Sequence, residues 1–299
     1  MELSRKQFDI LEVFATAKET TPTEELTQRK VAELTNQSLG NVNRLLKELD
    51  GLVDNGKITT EGLLALEPYR VKKAIFLAAG VGIRLMPVTL NTPKPLIRVN
   101  GKRIIDELIE ACLGIGIQEI YIVRGYLSEQ FEQLKLKYPM IQFIENPAFN
   151  EANNISSALC ARYLLSNAYV FEADLIVNPV VLKKYHYQSD FLTCYMDRVD
   201  DWCFEVQNGM ITNEKLGGFN AWRNCGISYW NEEDGLKLAG HLKEAYEMPG
   251  GKEYFWEQVP LSLYRGSYKV QAIECNEQDI IEIDTYKELK NLDGSYKFH

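Results

Sequence analysis

An apolar run, Ala74-Ile75-Phe76-Leu77-Ala78-Ala79, breaks directly into Gly80-Val81-Gly82, and Arg84 follows at once. Residues of that composition form a buried strand, and the two glycines after it let the backbone turn sharply and approach a ligand closely. The stretch continues through Leu85 and Pro87 to Pro93-Lys94-Pro95-Leu96, so an ammonium joins the guanidinium on the same loop. A guanidinium binds phosphate oxygens through a planar fork while an ammonium acts as a movable point charge, a pair suited to a triphosphate whose bonding changes during reaction. Prolines on both sides of Lys94 stiffen its loop and help fix its direction.

Two familiar glycine loops do not account for this pattern. It lacks the glycine-lysine-serine/threonine ending of a P-loop and the Gly-x-Gly-x-x-Gly spacing of a dinucleotide fold. The whole array of Leu77-Ala78-Ala79-Gly80, Gly82, Arg84-Leu85, Pro87 and Pro93-Lys94-Pro95-Leu96 resembles the signature of nucleotidyltransferases that join a nucleoside triphosphate to a phosphorylated small molecule. The resemblance implies that Leu77, Ala79, Gly80, Gly82 and Arg84 hold the nucleotide. It also puts Arg84 on the leaving pyrophosphate and Lys94 on the attacked or acceptor phosphate, as the two catalytic cations.

The chain has 299 residues and 45% hydrophobic content, enough to bury one large domain plus a smaller one. A formal net charge of -9 argues against broad binding to nucleic acid or anionic membranes. Six cysteines without a Cys-x-x-Cys pair, beside three histidines, suggest neither a zinc site nor a disulfide framework. Glu2, Arg5, Lys6 and Asp9 interrupt the N-terminal apolar residues, and no run of about 18 apolar residues occurs, so a cytoplasmic protein is expected.

Residues 1–70 and 71–299 read as separate domains, joined near Pro68, which ends a helix. In the first, Phe8, Leu11 and Phe14 give a helical face, a polar connection from Lys18 to Glu25 leads to a second helix through Leu34, and Ser38 caps a third carrying Val42, Leu45 and Leu49. Asn55-Gly56 marks a tight hairpin, and a last helix runs from Thr60 through Leu66. This order resembles a winged helix-turn-helix domain, which implies DNA contacts from Ser38, Asn41, Asn43, Arg44 and Lys47. Nine Lys and Arg against twelve Asp and Glu in this segment match a phosphate backbone poorly, and packing or homodimer formation is the other role open to it. From Ala74 onward strands and helices alternate: strand 74–79, helix 103–113, strand 119–124, helix 128–135, strand 141–144, helix 155–164 and strand 169–173. The expectation is an α/β fold, a mostly parallel sheet flanked by helices in the Rossmann-like nucleotidyltransferase manner, with ligands at the carboxyl ends of the strands.

Nucleotide transfer attacks the α-phosphate and releases pyrophosphate, so charge must be neutralised and two oxygens aligned. Asp174 closes the strand Tyr169–Ala173 and either binds metal or caps the turn that follows; the resemblance favours metal. Ile280-Ile281-Glu282-Ile283-Asp284-Thr285 resembles the family's second metal-binding segment, which makes Asp284 its partner unless it caps the last helix. Carboxylate and phosphate oxygens suit Mg2+.

Asn150-Glu151-Ala152-Asn153-Asn154-Ile155-Ser156-Ser157 resembles the corresponding part of bacterial CTP:phosphocholine cytidylyltransferases, which implies CTP held by Asn154 and Ser157; helix capping by Asn154 is the alternative. Trp202, Trp222, Trp230 and Trp256, with Tyr229, Tyr254 and Phe255, all follow Asp174. Aromatic faces and a nearby carboxylate hold quaternary ammonium groups, so Trp202, Trp256, Tyr229 and Glu257 are the expected acceptor contacts. The expected reaction joins CTP and phosphocholine into CDP-choline and pyrophosphate. Phosphoethanolamine, a phosphonate or a sugar 1-phosphate are alternative acceptors, and a DNA-binding regulator with a ligand-sensing nucleotidyltransferase-like domain is the competing class.

Overall fold

A computed structural model describes residues 2–21 and 25–298. The chain forms two compact units, one reaching to Arg70 and including Tyr185–Tyr187, the other made of Val71–Lys184 and the residues from Gln188 onward. In the first unit α1 (Arg5–Thr20), α2 (Gln28–Leu34) and α3 (Leu39–Glu48) precede the hairpin of β1 (Val53–Asp54) and β2 (Lys57–Ile58), and α4 (Thr60–Leu66) follows. Thr27, Ser38 and Thr59 accept amide hydrogen bonds at the starts of α2, α3 and α4, satisfying donors that a helix leaves open. Residues 22–24 of the expected connection lie outside the described residues. Phe8, Leu11, Phe14, Val31, Val42, Leu45, Leu49 and Leu66 form the core. Three residues returning from later in the chain close it: Tyr187 stacks on Tyr69 at 5.7 Å and tilts against Phe8 at 5.5 Å.

The second unit runs β3 (Lys73–Ala78), β4 (Arg98–Val99), β5 (Lys102–Arg103), α5 (Ile104–Gly114), β6 (Glu119–Arg124), β7 (Gln142–Glu145), α6 (Ile155–Ala161), β8 (Ala168–Glu172) and β9 (Leu175–Val177). It continues with β10 (Asp190–Gln207), β11 (Met210–Trp230), α7 (Glu232–Glu247), β12 (Gln271–Glu274), β13 (Ile280–Glu282) and α8 (Tyr286–Leu292). Strand β3 lies between β6 and β8, parallel to both, with β7 parallel beside β6. Antiparallel β11 extends the sheet from β8, and β10 and β12 complete its seven strands. This is the expected α/β architecture, its sheet mostly parallel and flanked by helices. Because side chains alternate along a strand, Ala74, Phe76 and Ala78 pack with Ile105, Leu108 and Ile109 of α5, while Ile75 joins Ile155 and Ala158 of α6 and Leu238 and Leu242 of α7.

One local element departs from expectation, and one hairpin is irregular. Ser128–Leu136 forms 3-10 turns instead of an α-helix. Leu127 enters it in the left-handed region, φ 47°, and the Arg124 guanidinium takes the Ser128 carbonyl at 3.1 Å, occupying an acceptor that an α-helix would use. The hairpin of β10 and β11 also folds back on itself. Its register breaks between Val199 and Trp202, so that Phe204 pairs with both Glu214 and Trp222, and Gly217 turns at φ 72°. No helix among the described residues is long and apolar enough to cross a membrane.

Near the start of α7, a Cβ on Gly235 would stand 2.6 Å from the Ser166 backbone nitrogen, so only glycine allows this approach. Gly235→Ala is expected to cost about 1–3 kcal/mol, read as a lowered thermal midpoint with an unchanged far-ultraviolet circular dichroism spectrum before melting.

Candidate active site

Three segments distant in sequence meet at one ammonium. Lys94 Nζ donates to Asp174 Oδ2 at 2.5 Å and to Asp284 Oδ1 at 2.9 Å, and Arg84 reaches the same Asp284 oxygen at 2.6 Å. Asp174 stands just past β8 and Asp284 just past β13. Strand β13 pairs antiparallel with β9, and the Ile283 amide donates to the Asp174 carbonyl at 3.2 Å, which holds the two aspartates side by side. Burial opposes the Lys94 charge, but Asp174 and Asp284 outweigh it and raise its pKa, so the ammonium stays charged. Burial also opposes the Asp284 charge, and Lys94 more than offsets it, holding that carboxyl below its usual range. Thr285, not Asp284, caps α8.

Three further carboxylates, Glu172, Glu282 and Asp201, crowd the centre, none of them among the expected metal ligands. Glu172, Asp174 and Glu282 each bring an oxygen within 4.8 Å of the others, as do Asp201, Glu282 and Asp284. Burial first, then Glu257 and Asp174, raise the Glu172 pKa well above its ordinary value; burial, Asp174 and Asp284 push Glu282 up to about 8. Asp174 Oδ1 is buried without a hydrogen-bond partner. An orphaned carboxylate oxygen among crowded acids, with an all-oxygen donor set, fits a hard divalent cation such as Mg2+. The missed signal was the repeat Glu172-Ala173-Asp174 and Glu282-Ile283-Asp284: two-residue spacing puts each glutamate on the face of its aspartate.

A cavity of about 730 Å³ opens beside this centre, lined by Leu77, Ala79, Gly80, Arg84, Asn154, Ser157, Asp174 and Asp284 among others. Gly82 and Lys94 line a second cavity that shares Arg84 and Asp284 with the first. Gly82 has φ 68°, and a Cβ there would come within 3.3 Å of Lys94 Cβ, so the loop needs glycine to bring Lys94 in. Asn154 does not cap α6 with its side chain; its Oδ1 accepts from the Trp256 amide at 2.8 Å. Asn146 Nδ2 donates to the hydroxyls of Ser156 and Ser157 at 2.9 and 3.0 Å, fixing both on the wall.

The nucleotidyl transferase family profile matches residues 73–138. A 2-aminoethylphosphonate cytidylyltransferase of Lancefieldella rimae is 34% identical over 75% of this chain and 93% of its own length. A choline-phosphate cytidylyltransferase of Streptococcus pneumoniae is 31% identical, over 75% of this chain and 98% of its own. The chain belongs to the nucleotidyltransferase family. Among solved structures, CTP:phosphocholine cytidylyltransferase from Streptococcus pneumoniae superposes with a TM-score of 0.70 at 28% identity, covering 76% of this nucleotidyltransferase and 99% of that chain.

The acceptor half of the cavity requires corrections. Trp256 is 2% exposed and stacks on Phe191 at 6.1 Å, with its edge toward Trp230 at 5.9 Å; its ring belongs to the core and does not line the cavity. Tyr229 is fully buried in the core and donates its hydroxyl to Asn167. The large apolar area of these rings is used in packing between sheet and helices. Trp230 is likewise core, and Trp222 sits edge-on to Tyr195. Trp202 does line the cavity, edge-on to Phe255 at 5.4 Å, together with buried Glu257 and buried Glu214. Nothing local in the sequence singles out Glu214, which the folded-back hairpin delivers. In the first unit, Arg44 pairs with Glu48 and Asn41, Asn41 bonds Gln37, the Ser38 hydroxyl caps α3 and Asn43 Oδ1 is buried, while Ser38, Arg44 and Lys47 are all exposed.

Burial, then Glu257, pushes the Glu214 pKa up to about 8 from an ordinary 4.5. The unfolded chain therefore releases this proton first as pH rises. The resulting loss of stability starts near 4.5, grows to about 8 and is complete above it. Glu214→Gln is expected to remove this slope, gaining on the order of a few kcal/mol over the unaltered protein at pH 9 and little at pH 4, measured by denaturant unfolding across that range.

Proposed function

We propose that this nucleotidyltransferase transfers the cytidylyl group of CTP to the phosphonate or phosphate of a small acceptor bearing a protonated primary amine, and releases pyrophosphate. The observation that carries the reading is the pair of buried carboxyl groups, Glu214 and Glu257, on the wall that also holds Trp202. A primary ammonium donates hydrogen bonds and is satisfied by carboxylates, whereas a quaternary ammonium relies on several aromatic faces. Trp202, Phe149 and Phe255 bring rings to this space, and the two carboxyl groups among them favour the primary amine. Burial raises the Glu257 carboxyl to about 7, and a bound cation would hold it ionised. The relatives that act on CTP support the choice of nucleotide. Phosphocholine is the second reading, supported by the Trp202 and Phe255 rings and by the streptococcal relative.

The acceptor needs no general base, because a phosphate with a second pKa of about 6 is largely dianionic at neutral pH. An acceptor oxygen forms its bond to the α-phosphorus as the bond to the β-phosphate oxygen breaks. Lys94, permanently charged between its aspartates, donates to phosphate oxygens where negative charge develops. Arg84, 66% exposed and attached through the glycine loop, would take the departing pyrophosphate. Asp174 and Asp284, backed by Glu172 and Glu282, would hold Mg2+, which when bound neutralises phosphate charge. A regulator with a silent site loses support from the joint presence of Arg84, Lys94, Asp174 and Asp284.

The test is pyrophosphate release with Mg2+, each nucleoside triphosphate and a panel of acceptors. CTP with 2-aminoethylphosphonate or phosphoethanolamine is expected to exceed phosphocholine at least about tenfold in kcat/KM. A preference for phosphocholine would overturn the amine reading, and turnover only with sugar phosphates or with none would overturn both. Glu257→Gln should raise the acceptor KM roughly 10- to 100-fold while leaving the KM for CTP nearly unchanged. Asp174→Ala should lower kcat by about 100-fold or more.

A further inference from the structure

Cys225 and Cys275 lie with their sulfurs 4.0 Å apart, both as free thiols. Cys225 occupies an irregular stretch of β11, where the pairing jumps from Phe191 with Ser228 to Thr193 with Asn224 and Gly226 turns at φ 69°. Cys275 follows β12, its amide bonded to the Thr193 carbonyl at 2.9 Å. Cys225 is buried and Cys275 half-buried. The Arg223 guanidinium stands 4.0 Å from Cys225 Sγ and also donates to the Ile280 carbonyl at 3.3 Å, which joins the β11 wall to β13.

We infer that Cys225 and Cys275 form a redox-active dithiol, which closes to a disulfide by exchange with a small disulfide such as oxidised glutathione and slows the active site when closed. The more accessible Cys275 thiolate attacks one glutathione sulfur, and the first glutathione leaves as a thiolate that takes up the Cys275 proton. Cys225 sulfur then attacks Cys275 sulfur, the mixed disulfide breaks, and the second glutathione departs with the Cys225 proton. Two protein thiols lose two electrons, and one glutathione disulfide becomes two thiols. The Cys225 hydrogen bond and, after the opposing effect of burial, the Arg223 charge lower the Cys275 pKa, which favours its thiolate as the attacking group.

Closure would act on the site through its neighbours. Arg223, Asn224 and Gly226, around Cys225, line the cavity, and a Cβ on Gly226 would lie 3.2 Å from Glu172 Cβ. From Cys275 the chain runs into β13, which carries Glu282 and leads to Asp284. A bond drawing the sulfurs from 4.0 Å to about 2.05 Å tethers the cavity wall to the carboxylate strand.

The experiment equilibrates the reduced full chain with graded ratios of oxidised to reduced glutathione, alkylates remaining thiols, and maps peptides by mass while measuring turnover. The expected result is a Cys225–Cys275 linkage, reversed by dithiothreitol, with kcat lower by roughly fivefold or more. Cys275→Ser should abolish both linkage and inhibition, Cys225→Ala should do the same should the first variant fail to fold, and Cys194→Ser should retain both. A stable glutathione adduct without internal linkage, a linkage through Cys194, or a Cys225–Cys275 bond that leaves turnover unchanged would overturn the inference. Peptide mapping does not depend on which acceptor is used, so its failure is distinguishable from failure of the amine reading.

Discussion

One buried ammonium organises this site. Lys94 is held by carboxylates from two other parts of the chain, and each of the three groups is tolerable away from water only because the others are present. Through that contact the glycine loop after β3, the end of β8 and the segment after β13 are brought to one point. The balance is deliberately incomplete: Glu172 and Glu282 add acid beyond what Lys94 and Arg84 neutralise, and burial pushes the protons of both back on. A centre with that surplus stores an affinity for cations and, once they are bound, for the phosphates that accompany them.

The same logic extends along the cavity wall. After burial, Glu257 raises the proton affinity of both Glu214 and Glu172, while hydrogen bonds, one of them from Glu172, work against the burial of Glu257 itself. Such a row of buried acids costs stability in the free protein and is retained where a ligand repays it. The negative character of the cavity is thus a property of a connected group rather than of a single residue.

What could be read from the sequence follows from how local each requirement is. Gly82 serves a backbone angle and a close approach to Lys94, demands carried by the loop itself, so its motif was visible. Asp174 and Asp284 were visible as the acids that end strands. Glu172 and Glu282 were hidden within those strands, although the two-residue period places them on the same faces. Trp256 and Tyr229 were misread because composition reports how many rings a segment has, not which side of the sheet they pack on. Trp202 was visible as a ring after Asp174, but Glu214 reaches the cavity through a hairpin that breaks register and folds back, a path no residue near it announces. The turns over Ser128–Leu136 arise from Arg124 capturing a carbonyl, a contact invisible to helical periodicity.

The aromatic closure of the first unit by Tyr185–Tyr187 makes its boundary topological as well as sequential. Severing the peptide after Arg70 divides the sequence but not the fold: Tyr187 would stay with one fragment while Phe8 and Tyr69 left with the other. A helical module that borrows part of its core from a later segment cannot be exchanged like a bead on a string. Its presence and the path of the chain between Lys184 and Gln188 have to be inherited together.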